Sequence, residues 1–523
     1  MSEARHQLGE RTIGNALWNI VPFVWSFALG LVVVPVVVNG IGLERFGLYG
    51  AFAVLLSPLN LANLGFGEAT IKYVAHYRHA GDMETAAQFV RTTLWMNCWV
   101  GLIGGALLWW WGPALTFRFF HVPADDRLLV QNCFVLVGLG WFLNQIAAVF
   151  IGIPAALQNF RVVAMAQGLV ATITAVLSIG IVVQGGGLLG YILANTLGSL
   201  AAVVIWYIYS QRLFGRVNLT PRLYPAVWKK SFHFGGWQAL AQVGALLATQ
   251  SERFLLGYFL NPAALGLYNV ALSLEQKAYF VAFKMSEVLF PLFSALSADT
   301  QLQKANQLLR ASWLLTTLGV MVLAPLLPLA QPLLAVWINP DVGQRASVVL
   351  QTLAVAGMIG CAVNGSYFFL LGNGRTAWIA ALSLLTGIVT ITISLWVLPI
   401  YGLKAAAVST LAAMMAQQAV VGFCLLKKVL GRSISSRSIF LSLYLPIVVG
   451  LTIGLGIQLL VRADWINNWG WLILSYLAIA GMCGLGILLA NHFSPNSRQH
   501  SEDVRRIVEW VRSQLHPKPD LCS

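Results

Sequence analysis

Lys277 and Lys284 stand inside the apolar stretch 267–296. Seven residues apart, they fall two turns apart on one face of a helix. Glu287 lies at the edge of that face, one turn further on. Glu275 precedes Lys277 by two residues, and the preceding apolar segment carries Glu252–Arg253. An ionisable side chain near the bilayer centre costs about 3 kcal/mol by insertion scales. A chain that keeps this many is expected to use them. The chemistry they offer is electrostatic. Arg253, Lys277 and Lys284 are cations that would hold an anionic cargo in a water-filled cavity between helices. The alternative is that Glu252 and Glu275 neutralise Arg253 and Lys277 as structural ion pairs.

The elements that position these charges are membrane spans. The 523 residues are 58% hydrophobic and only 10% charged, with a mean hydropathy of +0.75. A soluble protein carries about 25% charged residues. Crossing a hydrocarbon core of about 30 Å takes about 20 apolar residues per helix. Fourteen such stretches occur, at 13–38, 46–67, 90–112, 128–152, 162–184, 187–209, 236–260, 267–296, 311–336, 347–371, 377–399, 403–426, 439–461 and 469–490. Each is continuously apolar and too long for a barrel strand, so an all-α integral membrane protein is expected. The first stretch is too long for a removable signal peptide and lacks a small-residue cleavage site, so it reads as an anchor.

The chain carries a net charge of +14. Its distribution points to topology rather than to nucleic acid. With both termini cytoplasmic, 23 of the 32 Lys and Arg residues fall in cytoplasmic segments, six fall outside, and three (Arg253, Lys277, Lys284) lie within the membrane. That asymmetry is the positive-inside pattern; it sets the orientation and an even helix count, and the expected location is the cell inner membrane. Glu68 and Glu287 then sit near the cytoplasmic ends of their helices. They are either proton-coupling carboxylates or boundary residues within reach of cytosolic water.

The remaining composition excludes much. Cys98, Cys133, Cys361, Cys424 and Cys483 are isolated in apolar stretches, and Cys522 forms no prenylation box. No metal site or cofactor is expected. No paired-carboxylate motif, nucleophile elbow or phosphate loop occurs. The longest outer connection, Pro113–Arg127, is too short to fold as a catalytic loop, so no enzyme is expected. Asn15, Asn19, Asn60, Asn63, Asn144, Gln145, Gln242, Gln250 and Asn364 are either sugar-hydroxyl partners or interhelical hydrogen bonds. Pro221–Phe234 reads as an amphipathic helix on the inner leaflet. Ser501–Leu515 reads as a second surface helix, or as a docking site for partner enzymes.

A repeat organises the chain. Gly47-Leu48-Tyr49 after the first helix recurs as Gly266-Leu267-Tyr268 after the seventh, an offset of 219 that also carries Glu68 onto Glu287. Gln158-Asn159-Phe160-Arg161 and Gly187-Leu188-Leu189-Gly190 find counterparts in Gly372-Asn373-Gly374-Arg375 and Gly402-Leu403-Lys404-Ala405. The expected organisation is a six-helix bundle (1–210), a cytoplasmic amphipathic linker (211–235) and a second six-helix bundle (236–428). Two additional helices (429–492) and a cytoplasmic tail (493–523) follow. Such halves are related by an axis along the membrane normal with a central cavity between them.

On these motifs the chain resembles the multidrug/oligosaccharidyl-lipid/polysaccharide exporter superfamily. Ile41–Tyr49 followed by Asn63-Leu64-Gly65-Phe66-Gly67 is similar to the Wzx-type polysaccharide flippases, as is Glu252-Arg253-Phe254-Leu255-Leu256-Gly257. The resemblance covers about residues 12–428, and at Glu252 the family usually has Asp. It implies a flippase that moves undecaprenyl-diphosphate-linked oligosaccharides to the periplasmic leaflet by alternating access. Such a protein serves cell-surface polysaccharide or lipopolysaccharide biosynthesis. The expected partners are the lipid-linked oligosaccharide, membrane lipids, and a polysaccharide polymerase or other assembly protein. The alternatives are a peptidoglycan-precursor (lipid II) flippase and a multidrug or cation antiporter. A basic cavity argues against the last, since like charges repel in low dielectric.

Overall fold

The computed structural model describes residues 2–63, 66–157, 159–214, 219–287, 301–373, 375–421, 436–460, 466, 468–491, 500 and 505. Among them every regular element is helical. Among the described residues eight helices are long and apolar enough to cross a membrane, or ten if two bent pairs each count as one span. Within the described residues each of the fourteen apolar stretches lies mainly on helix. Those at 46–67, 236–260, 267–296 and 403–426 do not pass on length and hydropathy among the described residues; a 3-10 segment interrupts the first, and charges interrupt the next two. A count of fourteen is compatible with this.

By Cα proximity the chain divides into two compact units, Met1–Val270 with Ser394–Leu403, and Ala271–Ile393 with Lys404–Ser523. The first unit holds α1 (Ser2–Ile41), α2 (Leu43–Leu56), a 3-10 segment (Ser57–Asn63) and α3 (Phe66–His79). It continues with α4 (Met83–Phe119), α5 (Arg127–Ala156), α6 (Phe160–Val183), α7 (Gly187–Phe214) and α8 (Pro225–Phe259). The first turns of α9 (Pro262–Glu287) also belong to it.

Small residues and hydroxyls set the helix approaches here, as expected where lipid supplies no hydrophobic drive between helices. A Cβ built on Gly105 of α4 would lie 2.8 Å from the Gly138 carbonyl oxygen of α5. Thr196 and Ser210 of α7 donate to the α5 carbonyls of Leu136 (3.1 Å) and Phe150 (3.0 Å). Asp82 caps α4 by accepting from the Thr85 N–H at 2.9 Å, and Asn159 caps α6. The turn between α6 and α7 needs its glycines, since Gly185 and Gly187 take φ of +82° and +58°.

The connection after α4 is shorter than the sequence suggests. Pro113 lies inside α4, which runs on to Phe119. A helix in lipid tolerates proline because neighbours re-satisfy the freed backbone groups. The linker also differs from a free-standing surface helix. Residues 219–224 dock on α4, with Arg91 donating to the Thr220 carbonyl at 3.2 Å and Tyr224 N–H to Thr92 Oγ1 at 3.2 Å. From Pro225 the chain continues without a break into α8.

The second unit holds the rest of α9, α10 (Gln301–Leu323), α11 (Leu326–Trp337), α12 (Pro340–Gly372), α13 (Thr376–Tyr401) as far as Ile393, and α14 (Val408–Ala419). It also contains α15 (Ser436–Leu443), α16 (Leu445–Leu460) and α17 (Trp469–Ala490). The pairs α10–α11 and α15–α16 are bent by 41° and 44°. Gly454 of α16 fits against Leu327 of α11, and Tyr476 of α17 donates its hydroxyl to the Val322 carbonyl. Large apolar side chains face outward, among them Trp110 (72% exposed) and Leu459 (88%). In water such a surface would aggregate; in lipid it is the solvated face.

Candidate functional site

The charges singled out by the sequence fall in both units. In the first, Glu252 and Arg253 lie on the last two turns of α8. Glu252 is 2% exposed, and Arg253 is half-buried with its Nε lacking a hydrogen-bond partner among the described residues. Phe254 lies between Phe119 at the end of α4 and the following Phe120, with ring centroids 5.3 and 5.8 Å away. Gly257 leaves room for the Phe120 ring. The aromatic packing fixes the end of α8 and so the start of the Arg253 side chain.

In the second unit, α9 presents two faces. Glu275, 7% exposed, and Tyr279 lie one turn apart on the side packed against α12. A Cβ on Gly357 would come within 2.6 Å of Glu275 Oε1, so the carboxylate occupies a hollow that only glycine leaves. Tyr279 donates to Asn364 Oδ1 at 2.8 Å across the same interface, and Gly360 makes room for its ring. Asn364 Nδ2 is buried without a partner among the described residues.

Lys277 and Lys284 are on the other side. At about 100° per residue, Lys277 lies about 200° round the helix from Glu275, and Lys284 about 180°. Residues two apart do not face one another. Both lysines are half-buried, and Lys284 Nζ sits 5.1 Å from the centroid of the Phe280 ring, a cation–π contact one turn back. The side chains of Glu287 and Glu68 lie outside the described residues, as do those of Asn15, Asn19, Asn60 and Asn63. Among the other amides, Gln145 is buried with Oε1 unpartnered among the described residues, and Asn144 is exposed. Among the described residues no group of three or more His, Cys, Asp or Glu could hold a metal ion.

The repeated triplets meet each other. Gly47 of α2 and Gly266 of α9 lie within one unit, backbone against backbone. A Cβ on Gly47 would overlap the Pro262 carbonyl group, and one on Gly266 would overlap the Leu43 carbonyl oxygen while lying 3.3 Å from the Gly47 nitrogen. One turn on, Gly50 stands against the Asn269 side chain. The sequence shows the repeat but not this crossing; the glycine shared by both copies was its one visible sign.

Comparison with known proteins fits this architecture. Residues 13–297 match the family of polysaccharide biosynthesis proteins. The uncharacterized membrane protein EpsK of Bacillus subtilis (strain 168) is 23% identical over 344 residues, which cover 62% of this chain and 64% of EpsK. The match thus spans less than two thirds of that relative. Among solved structures, the lipid II flippase MurJ in an inward closed conformation superposes with a TM-score of 0.69 at 13% identity, covering 90% of this chain and 97% of that one. An inward-facing multidrug resistance MATE family transporter of the MOP superfamily gives 0.67 at 16%, covering 80% and 95%. The chain therefore belongs to the polysaccharide biosynthesis protein family, a multi-pass membrane protein with the fold of MOP-superfamily transporters.

Proposed function

We propose that this protein is a flippase that moves an undecaprenyl-diphosphate-linked oligosaccharide across the cytoplasmic membrane for surface polysaccharide synthesis. It does no covalent chemistry in this reading, and both termini are cytoplasmic. One observation carries it. Lys277 and Lys284 share a face of α9 that is turned away from Glu275 and partly accessible. A diphosphate crossing about 30 Å of hydrocarbon needs such cations. Arg253 is a third cation of the same kind on α8. Glu252 and Glu275 serve as ion-pairing or ion-coupling carboxylates, with Glu68 and Glu287 at the cytoplasmic boundary. The membership in a polysaccharide biosynthesis family supports a glycan as cargo. Transport by alternating access is supported by the likeness to both inward- and outward-facing structures of a MATE family transporter.

The test is glycan export in a deletion strain complemented with variants of Lys284. Lys284→Ala should abolish export while protein stays abundant in the membrane. Lys284→Arg should keep part of it, since charge survives but the compact ammonium geometry does not. Lys284→Glu should be the most defective, since it repels the anion. Mass analysis of the lipid-linked sugars that accumulate names the cargo, and a peptidoglycan precursor there would identify a lipid II flippase instead. Normal export by both Lys284→Ala and Lys284→Glu would sink the cation reading.

A further inference from the structure

Between α2, α5, α6 and α7 of the first unit lies a half-open cavity of about 550 Å³. Its volume falls in the range of small-molecule sites, about 300–1,000 Å³. Among the described residues no charged side chain lines it. Its polar lining is nonetheless dense: Tyr49, Thr174, Asn195, Thr196 and Ser199 all face it, beside the aromatic walls of Phe52 and Trp141.

The hydrogen-bonding state of that lining decides what it can take. Thr174 Oγ1 donates to the Val170 carbonyl at 2.9 Å, Thr196 Oγ1 to those of Ile192 (3.0 Å) and Leu136 (3.1 Å), and Ser199 Oγ to that of Asn195 (3.0 Å). Asn195 Nδ2 donates to the Tyr191 carbonyl at 2.8 Å. The three hydroxyl protons and one N–H of Asn195 are thus committed to backbone, which leaves the second Asn195 N–H and the carboxamide of Asn144. A hydroxyl that has given its proton still has lone pairs, and a carboxamide that has given an N–H still has its oxygen. The cavity therefore offers several acceptors beside a smaller set of amide donors. Its ligand must bring donors of its own. A neutral ligand suits it best, because an ion would find no opposite charge among the described lining residues to offset its desolvation. A lipid tail would leave the polar lining unused.

We propose that this cavity is a subsite for a neutral polyhydroxylated ligand, a sugar ring or an N-acetylated sugar. Its hydroxyl and amide N–H groups meet the acceptors of Thr174, Asn195, Thr196 and Ser199, and its C–H face lies on Tyr49 or Trp141. The proposal rests on the reading of the protein as a glycan transporter, and gives that cargo a neutral binding place separate from the lysines.

The experiment uses the full-length protein in nanodiscs and saturation-transfer NMR with three probes: N-acetyl-D-glucosamine, D-glucuronate and D-glucosamine. The neutral sugar should bind saturably and the two charged sugars more weakly. Asn195→Leu, close in shape and lacking the acceptor, should weaken it about fivefold, the loss of one neutral hydrogen bond. Ala53→Phe, which fills the cavity, should abolish it. Thermal unfolding of both variants establishes that they are folded, and Gly140→Leu replaces Ala53→Phe if that variant is not. Absence of saturable binding, preferential binding of the cationic sugar, or neutral binding that survives filling of the cavity in a folded variant would each overturn the proposal. The transport reading fails separately. Lys284→Ala should lose export and keep sugar binding, so normal export with intact sugar binding sinks the lysine reading and leaves the cavity.

Discussion

The crossing of α2 and α9 makes a quantitative demand on two glycines. Gly47→Ala places a methyl group on the Pro262 carbonyl, 2.6 Å from its carbon. Ordinary van der Waals contact begins at about 3.4 Å and the carbonyl oxygen is nearer still, so the helices must part by more than about 1 Å. The obstacle is backbone, so no rotamer change relieves it. Overpacking of this kind costs about 1–3 kcal/mol. That lowers the population of the closed crossing by a factor of about 5–150 relative to any arrangement in which the two helices stand apart. The readout is a disulfide across the same crossing. Gly50→Cys with Asn269→Cys in a cysteine-free background puts two thiols where a glycine Cβ position lies 3.2 Å from Asn269 Cγ, within disulfide reach. The side chain that Gly50→Cys would collide with is itself replaced. Cross-linking should be rapid with Gly47 and slowed about tenfold or more with Gly47→Ala or Gly266→Ala. Gly180→Ala is the control, since nothing lies within 4 Å of its Cβ position. Equal cross-linking rates in the parent and in both crossing variants would refute the reasoning.

Three further outcomes follow from the structure. Gly357→Ala should lower the thermal stability of the purified protein by about 1–3 kcal/mol, because its methyl group presses on Glu275; pairing it with Glu275→Ala should recover part of that loss, and an additive double variant would show that the two do not touch. Single cysteines at Asp125 and Pro221, both exposed, should react with an impermeant thiol reagent from outside and from the cytoplasmic side respectively; the reverse pattern would invert the orientation. At the start of α4, hydrogen bonds from the Thr85 hydroxyl and N–H hold the exposed Asp82 carboxyl below the usual carboxylate range. A depressed value means that the cap stabilises above the unfolded-state value and is lost as pH falls through the folded one, so amide exchange of the first turn of α4 should rise below about pH 4. Asp82→Asn should cap without that pH dependence.

Much of this protein is legible from the order of its residues, and the reason is the solvent. A bilayer demands about 20 apolar residues per span and satisfied backbone at every depth, so hydropathy alone announces helices. The same demand makes Arg253, Lys277 and Lys284 conspicuous, since few other side chains of the chain cost so much to place there. The repeat, too, is written in Gly47-Leu48-Tyr49 and Gly266-Leu267-Tyr268. What the chain order leaves open is everything set by which helix faces which. That Gly357 makes the hollow for Glu275 depends on α12 arriving about 80 residues later. That the linker clamps onto Arg91 and Thr92, and that Pro113 sits inside a helix, depends on neighbours that re-satisfy the backbone. The neutral cavity was the least visible feature. Thr174, Asn195, Thr196 and Ser199 are ordinary residues of apolar helices, and only the packing of α2, α5, α6 and α7 turns their spare lone pairs toward one space. Hydropathy reports the medium a helix meets; contact between helices is a matter of shape, which single-residue patterns do not encode.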